Sequence, residues 1–107
     1  FLLMDNERAP LHELEILFQA KGYRTSRHLS LETDRLDIFG TIKERRFRFF
    51  QTAREVCIGT VYLPNSANGD GAEWILESDS ENFLALAGIA CKVSSKYHKR
   101  IKPVYTG

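Results

Sequence analysis

"DRLDIFGTIKERRFRFFQTAREV", residues 34–56, is the stretch whose reading decides the fold. Leu36, Ile38 and Ile42 fall on one side of a period-two pattern, with Asp37, Phe39 and Thr41 on the other, as in a strand with one buried face. "KERR" (43–46) reads as a charged turn, after which Phe47 and Phe49 open the next strand. Arg46 and Arg48 alternate with these rings, so on a strand the arginines share one face and the phenylalanines the other. The whole reads as a non-catalytic hairpin with a basic bend.

The neighbours extend this into a sheet. Upstream, Thr33 and Asp34 supply a turn, and Tyr23, Thr25, Arg27, Leu29 and Leu31 alternate with polar residues as a preceding strand. Before it, "APLHELEILFQAKGY" places Leu11, Leu14, Leu17 and Phe18 at helical spacing, with Pro10 in the first turn and Gly22 as terminator. This predicts a helix over about 10–21. Downstream, "VCIGTVYLP" is apolar on both faces, as a central strand is, and Pro64 ends it. "NSANGDG" is a loop and "AEWILE" a short strand. Ser78 with Glu81 has capping-box spacing and predicts a helix over about 80–97. The tail "HKRIKPVYTG" is basic, then aromatic, with room for a short last strand. The predicted class is α+β: an antiparallel sheet of four to five strands with an N-terminal and a C-terminal helix packed on it, in the order α-β-β-β-β-(β)-α.

A chain of 107 residues, 43% hydrophobic and 27% charged, fits one domain spanning 1–107 with its own core. Residues 1–9 read as a flexible or partner-bound N-terminal arm and 99–107 as a basic C-terminal tail. The chain opens on Phe1 without an initiator methionine, which leaves a processed chain and a domain of something longer equally open. No repeat or low-complexity segment divides it. The longest apolar stretch, "FLALAGIACKV", is far short of the ~20 residues of a membrane span, so no membrane contact is expected.

Charge is uneven although the net is only +1. Residues 43–54 hold Lys43, Arg45, Arg46, Arg48 and Arg54 against Glu44, and from Lys92 onward Lys96, Lys99, Arg100 and Lys102 follow with no acid. Basic groups with interleaved aromatics grip phosphates and stack bases, so Lys43, Arg45, Arg46, Arg48, Lys96, Lys99 and Arg100 are the candidate DNA or RNA contacts. Helix 80–97 spreads apolar residues around much of its circumference. That predicts a second buried face against a protein partner or another copy of the chain, through Leu84, Ile89 and Val93. Cys57 and Cys91 have no metal-ligand spacing and apolar neighbours, which predicts two reduced, buried thiols in an intracellular, reducing compartment, with a single Cys57–Cys91 disulfide as the alternative. His12, His28 and His98 have no partner spacing, and no metal or cofactor is expected.

Two family resemblances bear on function. A helix carrying glutamates, "KGY", a strand and "RLDIFG" resemble the start of a PD-(D/E)xK nuclease core, over residues 10 to 52. That resemblance implies Mg²⁺ held by Glu13 or Glu15, by Asp37, and by a third ligand at Gln51. The pattern departs at its third element, where "FFQTAR" has an amide at 51 and Ala53 in place of the lysine. A neutral amide binds Mg²⁺ poorly and no ammonium is left to orient a water. For Asp37 the competing expectation is an ion pair with Arg35, Lys43 or another basic side chain. The order helix, antiparallel strands, helix is similar to the double-stranded-RNA-binding domain, but "SDSENFLALAG" stands where that family has a lysine-rich phosphate-binding run. The reading carried forward is a non-catalytic binding or interaction domain, a module or subunit of a larger assembly. A nuclease-like domain on Glu13, Asp37 and Gln51 is the alternative.

Overall fold

The structure is a computed structural model that describes residues 9–30, 32–47, 50–64 and 73–106, and of 42–47 and 50–53 the backbone alone. The chain runs α1 (Ala9–Ala20), β1 (Arg24–His28), β2 (Thr33–Phe47), β3 (Phe50–Pro64), β4 (Trp74–Ser78), α2 (Ser80–Lys96) and β5 (Ile101–Tyr105). The five strands form one sheet in chain order, antiparallel except for the parallel β4–β5 pair. The α+β class is as expected; the order and the uniform antiparallel pairing are not. The last helix is followed by a strand, and the sheet is mixed. The reason is the length of α2: 17 residues, at 1.5 Å each, return the chain to the end of the sheet where β4 began. The next strand beside β4 then runs parallel to it. Residues 101–105 of the expected tail are therefore the edge strand.

Local chemistry explains the element ends. Gly22 has φ +94°, a conformation glycine adopts without strain, and its N–H donates to the Gln19 carbonyl at 3.0 Å while Tyr23 N–H donates to that of Phe18 at 3.1 Å. That is a Schellman stop, and its usual apolar contact is present as an edge-on Phe18–Tyr23 ring pair. At α2 the cap is Asp79, whose carboxylate accepts from Asn82 N–H at 2.8 Å, and not Ser78 as expected. Ser78 is buried at the end of β4, and its hydroxyl donates to the Ile58 carbonyl at 3.0 Å. "KERR" is not a turn; its backbone continues β2. Likewise the expected third and fourth strands are one, β3, and β1 stops at His28, leaving Leu29 exposed.

Both helices lie on one face. Leu11, Leu14 and Phe18 of α1 and Leu86, Ile89, Ala90 and Val93 of α2 share one core with Leu36, Ile38, Val61, Leu63, Trp74 and Leu76 of the sheet. Burial of these side chains, at ~25 cal/mol per Å² of apolar surface, is the main source of stability. α2 approaches β3 so closely that a Cβ on Gly59 would stand 2.5 Å from Leu86 Cδ1. The helices are tied at one end by Glu13, whose carboxylate accepts from Lys96 Nζ at 2.8 Å and from the Tyr97 hydroxyl at 2.9 Å. The other face of the sheet is covered by no element among the described residues.

Candidate nucleic-acid interface

The β2–β3 hairpin outruns the rest of the sheet. β1 pairs with β2 only as far as Phe39, and β4 with β3 only as far as Gly59. Beyond those rungs, residues 40–47 and 50–56 pair only with each other among the described residues, Gly40 with Val56, Ile42 with Arg54 and Arg45 with Gln51. Eight residues at ~3.3 Å make a two-stranded ribbon about 26 Å long. The molecule is correspondingly elongated, 54 × 28 × 22 Å.

A bulge marks where ribbon meets body. Ile38 faces Gly59 and Phe39 faces Cys57, so Ile58 is the extra residue of β3. Its carbonyl is the one that the Ser78 hydroxyl satisfies, and its side chain lies 3.1 Å from where a Cβ on Gly40 would stand. The bulge, Gly40 and Gly59 thus occupy a single level of the sheet. Sequence reading missed it, because a bulge is a property of pairing and Ile58 looks like any core residue of β3.

The ribbon carries Lys43, Arg45, Arg46 and Arg54 on its described backbone; Arg48 lies outside the described residues. Counted over 40–58, five basic residues stand against Glu44 and Glu55, a net of +3 in a chain whose total is +1. Arg24 of β1 reaches the root of the ribbon, bonding Glu55 and covering the Phe39 ring at 4.6 Å. This contact, chiefly the hydrogen bond between the two side chains, lowers the pKa of Glu55 and raises that of Arg24.

Lys96, Lys99 and Arg100 are elsewhere. They run from the last residue of α2 to Ile101, which is level with Trp74, whereas the ribbon leaves past Ser78 at the opposite end of β4. About twelve residues of strand, roughly 40 Å, separate that end from Arg46. The two basic segments do not form one surface. Lys96 is engaged by Glu13, which raises its pKa. His98 (φ 57°) and Lys99 close α2 through N–H donation to the Ser95 and Ser94 carbonyls, and cations here complement the helix C-terminus.

No family model, curated protein or solved structure matches the chain. What the domain does must be read from its own surfaces.

The three positions of the nuclease-like reading are apart. Glu13 sits on the helix side, bound by Lys96 and Tyr97 and held below its ordinary pKa of 4.5 by those bonds. Asp37 lies on the uncovered face, level with Thr60, while Gln51 is level with Arg45, eight residues further along β2. Asp37 is engaged by three neighbours: His28 Nε2 at 3.1 Å, Arg35 Nε at 3.3 Å and the Thr60 hydroxyl, which donates at 3.1 Å. Of the partners expected for it, Arg35, Lys43 or another basic side chain, Arg35 is one that the structure pairs with it. Among the described residues no three His, Cys, Asp or Glu side chains gather as metal ligands. Tyr62 joins the same face, its pKa raised by burial first and by Glu77 next. His28 has no partner spacing in the sequence and Thr60 carries no signal there, because β1 and β3 bring them to Asp37 only through pairing.

The protein-contact residues divide. Leu84 is 82% exposed on the outer side of α2, whereas Ile89 (7%) and Val93 (2%) belong to the core and are not surface residues. The reason is angular: α1 and the sheet together cover much of α2, which accounts for its broad apolar arc. Both cysteines are also corrected, since Cys57 and Cys91 are free but exposed. No helix among the described residues is long and apolar enough to cross a membrane.

Proposed function

We propose that the domain is a non-catalytic nucleic-acid-binding module that engages phosphates through the β2–β3 ribbon. The observation that carries this reading is the concentration of +3 net charge in a protruding hairpin of a nearly neutral chain. The ribbon, and not the Lys96–Arg100 segment, is favoured because the latter is tied to Glu13 and to the end of α2. Binding is then dominated by backbone contacts, weak in sequence preference and steep in salt. Arg46→Ala with Arg48→Ala lowers affinity and flattens the dependence of log K on log salt by ~1–2 units, at roughly 0.9 per phosphate contact. Affinity for DNA and RNA, single- and double-stranded, at low and moderate salt is the test; no affinity for any of them removes the reading.

A protein contact through the outer side of α2 is a second reading, resting on the exposure of Leu84. A domain that binds both nucleic acid and a protein is a module of a larger assembly.

A further inference from the structure

We infer that Pro103 closes the β5 edge of the sheet to a further strand, so that copies of the chain do not join there edge to edge. The sheet ends in β1 on one side and β5 on the other. In a strand the N–H and C=O of one residue point to the same side, and successive residues point to opposite sides. Two bonds fix this alternation in β5. The Arg100 carbonyl accepts from Trp74 N–H at 2.9 Å, and Thr106 N–H donates to the Ser78 carbonyl at 3.0 Å. The even-numbered residues from Arg100 to Thr106 therefore turn toward β4, and Ile101, Pro103 and Tyr105 turn outward. Pro103 is level with Leu76 of β4 yet costs that ladder no bond, because the ladder uses its neighbours.

Proline has no N–H to offer, and its ring projects where a neighbouring strand would have to lie. It is the central residue of IKPVY, a strand of five. A strand laid along this edge would lose its middle bond and meet the ring. The outward amides that remain, those of Ile101 and Tyr105, stand four residues or about 13 Å apart. An edge proline is a known device against unwanted strand pairing. The opposite edge, β1 with the sequence RTSRH, has no proline. Pairing β1 of one copy with β5 of the next would leave the same two edges free and so propagate, whereas a contact of like with like closes at two copies. Blocking β5 alone is enough to stop that head-to-tail growth. The inference is independent of what the ribbon binds.

Two measurements test it. Amide hydrogen exchange on the wild-type chain reads the alternation, and sedimentation of Pro103→Val reads the block. In wild type the amides of Ile101 and Tyr105 should exchange at least about tenfold faster than those of Lys102 and Val104. Equal protection of the four would mean that something already pairs with this edge, which overturns the inference. Pro103→Val, with its fold checked by circular dichroism, should form species whose mass rises with concentration beyond any change in wild type. The amides of Ile101 and Tyr105 should gain protection as it does so. Pro103→Ala serves in its place if valine disturbs the fold. A folded variant that keeps the wild-type mass at millimolar concentration overturns the inference. So does one that associates while those two amides still exchange freely.

Discussion

Two glycines show how much a single Cβ decides. At Gly59 a Cβ would meet Leu86 Cδ1 at 2.5 Å and the Glu77 carbonyl at 3.1 Å, so α2 could not keep its distance from β3. Gly59→Ala should destabilise by about 1–3 kcal/mol, the usual cost of overpacking. At Gly88, inside α2, nothing lies within 4 Å, and alanine is the better helix former. Gly88→Ala should stabilise by about 0.5–1 kcal/mol. Chemical denaturation of the two variants checks both signs, and a loss at Gly88 would mean that something does cover that side of the helix. The thiols follow the same logic of position. Cys57 and Cys91 have apolar neighbours in sequence, yet both are exposed, so a thiol reagent should titrate both in the native protein. Apolar neighbours along a strand or helix do not bury a residue when its own direction is outward. Two inert thiols until denaturation would restore the buried assignment.

Helix α2 is the element whose sequence pattern was hardest to interpret. Its apolar arc is wide because it packs on both the sheet and α1, leaving Leu84 and not Ile89 on the outside. Ile89→Glu should unfold the domain, because a carboxylate forced into the core has no partner there. Leu84→Glu should leave the melting transition within about 0.5 kcal/mol of wild type, as exposed substitutions usually do. If both unfold the protein, the outer side of α2 is occupied. The tie between the helices sets a pH dependence. Glu13 has its folded pKa lowered, chiefly by the bond from Lys96 and next by that from Tyr97. Its contribution is therefore present above the ordinary value of 4.5 and lost as pH falls through the lower folded value. Stability curves of wild type and Glu13→Gln should differ near neutrality and converge below that range. A constant offset at all pH values would show that charge is not what Glu13 supplies.

At the scale of the molecule, topology separates the two basic segments. α1 ends and α2 begins at the ribbon end, while Glu13, Lys96 and Arg100 lie at the other. Lys99→Ala with Arg100→Ala should therefore leave nucleic-acid affinity and its salt slope unchanged, whereas the Arg46 and Arg48 pair should lower both. Fluorescence anisotropy across a salt series separates them. Equal losses from both pairs would require the nucleic acid to span about 40 Å along the domain and would remove the preference for the ribbon.

The sequence by itself determined the elements that short-range physics controls. The stripe Leu11, Leu14, Phe18 made α1, Gly22 stopped it, and the alternation of Leu36 and Ile38 with Asp37 and Phe39 set the faces of β2. The basic character of residues 43–46 was equally plain, and so was the acid–base pairing open to Asp37. Only the tertiary structure decided that "KERR" continues a strand, since a charged run is compatible with a turn and with a ribbon until its partner strand is known. It alone decided that β5 runs parallel beside β4, a pairing across more than twenty residues with no local signature. It decided, too, which basic residues stand together. Period and composition act over a few residues, whereas the register of β2 on β3 and the return path of α2 set distances across the whole domain.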